Sequence, residues 1–157
     1  MKIYHEIPPL YNAQSKVLIL GSLPSPKSRE AGFFYMHPQN RFWKILAAVF
    51  GESEPIGAEA RKAFVLDRGI ALWDVIAECD ITGASDASIK NARPNDFSSI
   101  YAHADIRAVF TTGQTAAKLY RRATGEDSIN LPSPSPANCA ADFAELVEKY
   151  NVIKEYI

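Results

Sequence analysis

The stretch that decides the fold is Val17-Leu18-Ile19-Leu20-Gly21-Ser22, an apolar run that stops at a glycine and a serine. Short apolar runs bounded by turn residues are typical of strands that are buried on both faces of a parallel sheet. Further strands are expected at 70–73, 106–111 and 129–131. Helical patterns separate these strands, so the sequence predicts a three-layer α/β/α domain with a mostly parallel, four-stranded central sheet.

The segments between the strands divide into helices and loops. Helices are expected from Asn40 to about Phe50, over 58–68, 95–102 and 114–124, and from about 140 to 150. Residues 23–38 contain three prolines and one glycine, and we expect an irregular stretch there. Residues 80–94 are rich in Gly, Ser, Asp and Asn and are expected to form a second loop.

The composition is that of an ordinary globular domain. The 157 residues include 47% hydrophobic and 22% charged residues, which excludes a disordered chain or a coiled-coil rod and favours a single domain spanning 1–157. Seventeen Lys and Arg against eighteen Asp and Glu give a net charge of −1. A nucleic-acid partner would therefore be held by a local patch rather than by the overall charge.

Cysteine usage and hydropathy indicate the compartment. Cys79 and Cys139 are far apart and have no CxxC companion, so we expect neither a metal site nor an iron–sulfur cluster. No apolar stretch approaches the roughly 20 residues of a membrane span, and the first twelve residues lack the apolar core of a signal peptide. We expect a soluble, cytoplasmic protein with free thiols and no contact with membranes.

Unusual residues follow each predicted strand. These are the stretches Gly21-Ser22-Leu23-Pro24, Trp73-Asp74 and Thr111-Thr112-Gly113, and the proline–serine loop, LPSPSPAN at 131–138. Ligands bind outside the carboxyl ends of parallel strands, so the four stretches are expected to meet at one site. The chain contains no GxSxG, Walker, GxGxxG or HExxH motif, which excludes several familiar hydrolase and nucleotide-binding sites.

The end of the irregular stretch carries groups that suit a nucleobase. Aromatic residues at 33–35 precede an amide, Asn40, and a cation, Arg41. Proteins hold an unstacked base by stacking on its face and hydrogen bonding to its edge. The same residues also fit simpler roles: the aromatic residues as a lid on the core and Asn40 as a helix N-cap. His37, which lies between the aromatic residues and Asn40, is expected either to anchor the loop or to contact substrate or phosphate.

The proline–serine loop and several basic residues suit phosphate binding. Proline stiffens the loop, and Ser133 and Ser135 offer hydroxyls to phosphate oxygens, although such loops also occur as plain connectors. Basic residues near the strand ends predict either a basic face opposite an acidic last helix or scattered solvated charges. They are Lys27, Arg29, Arg41, Lys90 and Arg93.

Three blocks, VLILGSLP (17–24), HPQNRFWK (37–44) and the proline–serine loop, resemble motifs of the uracil-DNA glycosylase superfamily. The similarity is closest to its hypoxanthine-DNA glycosylase branch, and the middle block also resembles the mismatch-specific uracil glycosylases. It runs in order along essentially the whole chain. The resemblance implies a monomeric, monofunctional enzyme that binds DNA containing deaminated bases, flips out hypoxanthine and hydrolyses its N-glycosidic bond without metal or cofactor.

The resemblance also implies roles for individual residues. Leu23 stands where several branches carry an Asp or Asn that positions water, and Asn40 takes over that role as the catalytic residue. Tyr35 stacks on the flipped base and Asp74 reads its edge, while Leu131 replaces the catalytic histidine of classical members. Further contacts are expected to the base from Ser22, Leu23, Ser25 and Phe34, and to DNA from Lys27, Arg41, Ser133, Ser135, Ala137 and Asn138.

Two other functions remain open from the sequence. One is a DNA glycosylase with another preference: uracil, xanthine or a mismatch. The other is a non-catalytic nucleic-acid-binding α/β domain, favoured by the apolar residues Leu23 and Leu131 at positions that are polar in relatives.

Overall fold

A computed structural model describes residues 1–83 and 86–157. The strands are β1 Lys2–Tyr4, β2 Val17–Gly21, β3 Ile70–Asp74, β4 Ile76–Asp80, β5 Lys90–Pro94, β6 Ala108–Thr112 and β7 Ile129–Leu131. The α-helices are α1 Pro26–Ala31, α2 Phe42–Phe50, α3 Ala58–Asp67, α4 Ser98–His103, α5 Gln114–Thr124 and α6 Phe143–Tyr150. Short 3₁₀ helices occur at Asp86–Ser88 and Asn151–Glu155.

The central sheet is parallel and has the strand order β3-β2-β6-β7. Strand β2 lies in the middle, with Val17 opposite Ile70 on one side and Ala108 on the other. Every residue of β2 is buried, which explains why its sequence is a continuous apolar run rather than an alternating one. The α/β class and the four-stranded parallel sheet predicted from the sequence are confirmed.

Helices cover both faces of this sheet. Ile19 points into a core that it shares with residues of α2, α3 and α6. Its neighbour Leu20 points to the opposite face and packs with residues of α4 and α5. The two cores account for the three-layer arrangement. Across residues 1–83 and 86–157, the structure contains no helix with the length and apolar character of a membrane span.

The region expected to form a loop over 80–94 differs from the prediction. Strands β4 and β5 pair there in an antiparallel sheet with the order β1-β4-β5. Strand β5 reads KNARP and is largely exposed, so its sequence has the polar composition of a loop although its backbone pairs with β4. The part of the predicted loop at 84–85 lies outside the described residues.

The stretch 23–38 is also more regular than its prolines suggest. Helix α1 begins at Pro26, a first-turn position where a missing N–H leaves no hydrogen bond unmade. The Ser25 hydroxyl caps the helix by accepting from the Ser28 backbone N–H at 3.2 Å. Gly32 ends it in the left-handed conformation at φ 71°. The prolines therefore place this helix rather than prevent it.

Candidate active site

The carboxyl ends of the central strands open into a cleft of about 590 Å³. The residues that line it include Gly21, Asp74 and Thr112 at three neighbouring strand ends. Asn40 and most of the proline–serine loop line the same cleft. The topology-based expectation that these distant stretches share one edge of the sheet is therefore met, and the volume is in the usual range for a ligand site.

Asp74, the last residue of β3, lies at the inner wall of the cleft and is 4% exposed. Its Oδ2 atom lies 2.8 Å from Nε2 of His5. A Cβ atom added to Gly21 would lie only 2.5 Å from Oδ1 of Asp74, so the sheet admits glycine beside this carboxylate. In the part of the chain that the structure describes, no protein group donates to Oδ1. One carboxylate oxygen is therefore held by the protein, and the other is available to a ligand.

Tyr35 lines the cleft in a strained backbone conformation, with φ at 52°. Its hydroxyl shares a 3.1 Å hydrogen bond with Oγ1 of Thr112. Burial raises the pKa of Tyr35 well above its usual value, the negative charge of Asp74 raises it further, and the Thr112 hydrogen bond opposes the shift. The phenol is thus neutral. Its ring stacks on Phe42 with centroids 3.8 Å apart, so the predicted stacking on a base would use the opposite face.

Asn40 lies on the cleft wall immediately before α2. Its Oδ1 atom accepts a hydrogen bond from the Phe42 backbone N–H at 2.9 Å, and its own backbone N–H donates to the His37 carbonyl at 2.9 Å. The N-cap of α2 is Arg41, which makes no side-chain cap hydrogen bond, so in place of the N-cap role weighed from the sequence Asn40 forms a turn just before the helix. Over residues 1–83 and 86–157, no protein acceptor binds the Asn40 amide nitrogen, which leaves its N–H groups and the second lone pair of Oδ1 for a ligand or water.

The first motif contributes Ser22, Leu23 and Ser25 to the cleft wall. The Ser22 hydroxyl donates to Oδ2 of Asp86 at 3.0 Å. Loss of water around the Asp86 carboxyl raises its pKa, the Ser22 hydrogen bond lowers it, and the charge of Asp74 raises it. Leu23 packs against a small apolar cluster around the second sheet, so it offers the cleft only apolar surface.

The proline–serine loop is held in shape by its own polar groups. Oγ of Ser133 accepts from the Ser135 backbone N–H at 3.2 Å, and Oγ of Ser135 accepts from the Ala137 backbone N–H at 3.1 Å. The Asn138 amide donates to the Ser133 carbonyl at 3.0 Å. Because both hydroxyls accept in these turns, their O–H protons remain free to donate toward the cleft.

Arg41 fastens this loop to the start of α2. Its guanidinium donates to the backbone carbonyls of Ala141 at 2.8 Å, Asn138 at 2.8 Å, Ser135 at 3.1 Å and Pro134 at 3.4 Å. The cation expected to contact DNA is thus occupied by protein carbonyls. The expected contact of Arg41 with DNA stays a prediction.

Other basic residues of the predicted basic face are also partly occupied. Lys27 lies exposed on α1 and is not among the residues of the cleft wall. Arg29 lines the cleft but donates to the Pro24 carbonyl at 3.0 Å. Arg93 lies 3.3 Å from Glu78. The contact of Lys27 with DNA stays a prediction, and it would be made outside the cleft.

Two apolar residues of the motifs belong mainly to the core. Phe34 is 2% exposed and packs in the core, and its carbonyl accepts from the indole N–H of Trp43 at 3.2 Å. It also lines the cleft, so its contact with the base stays a prediction. Leu131 is also 2% exposed and lies in the core beneath the sheet edge. Leu131, at the position where the resemblance expects a catalytic histidine, therefore lies in the core and does not line the cleft.

The sequence analysis missed two residues at the carboxylate side of the cleft. His5 contacts Asp74, and Asp86 enters the cleft wall from a 3₁₀ helix in the predicted loop. Neither residue belongs to a motif, and each acquires its partner only through a contact across more than sixty positions of sequence. No local pattern signals such contacts.

Comparison with known proteins places the chain in a family. The family model of the uracil DNA glycosylase superfamily matches residues 8–153. Proteins named hypoxanthine DNA glycosylase from Methanosarcina barkeri and Methanosarcina acetivorans are 33% and 32% identical to it, over 83% of this chain and 85% of theirs. An NMR structure of a candidate uracil DNA glycosylase from M. acetivorans superposes with a TM-score of 0.83 at 28% identity, covering 99% of both chains. The protein belongs to the uracil DNA glycosylase superfamily.

Proposed function

We propose that the protein is a monofunctional DNA glycosylase that removes hypoxanthine from deoxyinosine in DNA. The observation that carries this proposal is the convergence of Asn40, Tyr35, Asp74 and the proline–serine loop on one cleft. These are the residues that the resemblance assigns to water, base and phosphate. The relatives named hypoxanthine DNA glycosylase support the choice of base.

Base recognition rests on the free oxygen of Asp74. Hypoxanthine carries a hydrogen on ring nitrogen N1 beside a carbonyl group, and a carboxylate oxygen accepts that hydrogen. Adenine has a lone pair at N1, which a carboxylate repels, so the cleft rejects the undamaged base from which hypoxanthine forms. The neutral hydroxyl of Tyr35 lies near the same oxygen. A Cβ atom placed on Gly21 would be 2.5 Å from Oδ1 of Asp74 and 3.3 Å from the Tyr35 hydroxyl, so both atoms border the same point.

Bond cleavage places positive charge on the sugar and negative charge on the departing purine. Asn40 holds the attacking water through the second lone pair of Oδ1, while the Phe42 N–H keeps the side chain in place. A carboxamide is a weak base, so catalysis relies on positioning and on the lability of the glycosidic bond rather than on strong proton abstraction. Leu23 contributes no polar group to this step.

Flipping requires that the flanking phosphates be held. The hydroxyls of Ser133 and Ser135 have protons free to donate, and the clamp at Arg41 keeps the loop rigid before DNA arrives. A preformed loop loses little conformational entropy on binding. Ala137, which is exposed at the end of this loop, is proposed to enter the space that the flipped base leaves.

Uracil is a second candidate substrate. It also presents a ring N–H between carbonyl groups, which suits the free oxygen of Asp74, and the similar NMR structure is that of a candidate uracil DNA glycosylase. Both bases offer this N–H to Asp74, and the excision assay below distinguishes them by comparing inosine with uracil.

The test is an excision assay on matched duplexes that contain one inosine, uracil, xanthine or adenine at the same position. Excess enzyme is added, and hot alkali then converts abasic sites to strand breaks. We expect breaks at inosine and none at adenine. Faster cleavage at uracil or xanthine would replace the proposed base, whereas DNA binding without breaks in any duplex would indicate a non-catalytic domain.

A further inference from the structure

His5 connects the N-terminal segment that begins with β1 to the wall of the cleft. It follows β1, and its backbone N–H donates to the Ala77 carbonyl of β4 at 2.7 Å. Its side chain is 1% exposed and meets the ring of Trp73 edge to face, with centroids 6.2 Å apart. The second sheet therefore carries an imidazole into the interior beside the end of β3.

The imidazole has one polar partner. Its Nε2 atom lies 2.8 Å from Oδ2 of Asp74, while Nδ1 is buried and has no hydrogen-bond partner in the described part of the chain. A hydrogen on Nδ1 would have no acceptor, whereas a hydrogen on Nε2 is satisfied by the carboxylate. The contacts therefore select the tautomer that donates from Nε2 to Asp74.

We propose that His5 is a positioning residue, which holds Oδ2 of Asp74 so that Oδ1 faces the cleft and accepts the ring N–H of the flipped base. This inference rests on the proposed function. Burying an imidazole with one unpartnered nitrogen destabilises the folded protein, so stability alone does not explain His5. The group that His5 binds is the Asp74 carboxylate, to which base recognition is assigned.

The geometry explains why such a support is needed. Without the His5 hydrogen bond, the Asp74 carboxylate can rotate, and its free oxygen, which lies beside Gly21 and near the Tyr35 hydroxyl, loses its fixed direction. Small errors in the position of a group that orients substrate reduce rates by as much as about a hundredfold. Loss of His5 should therefore slow excision although His5 itself never contacts the base.

The experiment compares two substitutions in the full-length protein. His5→Leu removes the donor, and His5→Gln retains an amide nitrogen at the place of Nε2. His103→Gln is the matched control, because His103 is exposed and its Nδ1 contacts the Ser99 carbonyl away from the cleft. Single-turnover excision of inosine, DNA affinity and thermal stability are measured for each variant.

We expect His5→Leu to slow the excision step about 10- to 100-fold at unchanged DNA affinity. His5→Gln should restore the rate to within about threefold of the unsubstituted protein, because the reaction needs a donor to Asp74. His103→Gln should excise inosine at the unsubstituted rate. In an Asp74→Asn background, His5→Leu should cause little further loss. Equal losses in both backgrounds, or a His5→Gln protein as slow as His5→Leu, would overturn the proposal.

A spectroscopic measurement is independent of turnover and of the folding of any variant. ¹⁵N NMR of the unsubstituted protein should show His5 with a slowly exchanging hydrogen on Nε2. The opposite tautomer would overturn the assignment. If the protein excises no base while this tautomer is present, the proposed function fails and the contact stands; if it excises inosine and His5→Leu is unimpaired, only this inference fails.

Discussion

Replacing Asn40 by alanine separates its structural role from its proposed catalytic role, because Asp96 makes a matched side-chain hydrogen bond elsewhere. Oδ1 of Asn40 accepts from the backbone N–H two residues ahead at 2.9 Å, and Oδ1 of Asp96 accepts from the Ser98 N–H at the same distance. Asp96 lies at the start of α4 and does not line the cleft. Asp96→Ala therefore removes an equivalent hydrogen bond without touching the site.

The expected magnitudes differ between stability and activity. Loss of either hydrogen bond should cost about 1 kcal/mol of unfolding free energy, which for a chain of this length lowers Tm by roughly 2–4 °C. A domain with about 5–15 kcal/mol of stability stays folded after such a loss. Loss of the group that positions water should slow excision at least about a hundredfold, equivalent to about 2.7 kcal/mol of activation free energy.

The assay is single-turnover cleavage of an inosine duplex, with DNA affinity measured by fluorescence anisotropy and stability by thermal melting. Asn40→Ala should lose excision and keep its affinity within a few-fold, while Asp96→Ala should retain both. Excision at the unsubstituted rate by Asn40→Ala would mean that Asn40 only stabilises the turn before α2. Equal losses in the two variants would attribute the effect to folding.

Three further substitutions test the walls of the cleft. Gly21→Ala places a methyl group 2.5 Å from the Asp74 carboxylate, so thermal melting should show a loss of about 1–3 kcal/mol; an unchanged Tm would mean that the carboxylate has room to move. Arg41→Ala removes four hydrogen bonds to backbone carbonyls and should cost roughly 3–5 kcal/mol in urea unfolding and weaken DNA binding; normal stability would refute the clamp. The raised pKa of Asp86 means that the folded state binds its proton more tightly than the unfolded state does. Asp86→Asn should therefore be more stable than the unsubstituted protein at pH 7, and the difference should shrink as pH falls through the raised folded-state pKa toward the unfolded-state value. A difference that grows on acidification would contradict this sign.

The central sheet was predictable because its strands are buried on both faces. Burial of every residue of β2 forces a continuous apolar run, and its last residue is glycine because a Cβ atom there would lie too close to the Asp74 carboxylate. Strand β5 was not predictable, because an exposed edge strand has no apolar pattern to display. Its pairing with β4 also contains register shifts, which remove the remaining periodic signal.

Site residues were predictable where a motif carries them and not where a tertiary contact creates them. The block around Asn40 and the proline–serine loop identified one wall of the cleft each. The same reasoning assigned Arg41 to DNA, because a cation in a loop has no visible partner until the carbonyls around it are known. His5 shows the converse: its position in an arm of the chain concealed a buried contact with the carboxylate at the far end of β3.

The central claim is that this cleft releases an intact base by hydrolysis. The most direct measurement is chromatography of the small molecules liberated when the protein acts on a duplex that contains one deoxyinosine. Free hypoxanthine should appear in step with abasic sites, while the strand stays unbroken until alkali is added. A nicked strand with the base still attached, or bound DNA with no hypoxanthine in solution, would contradict the account.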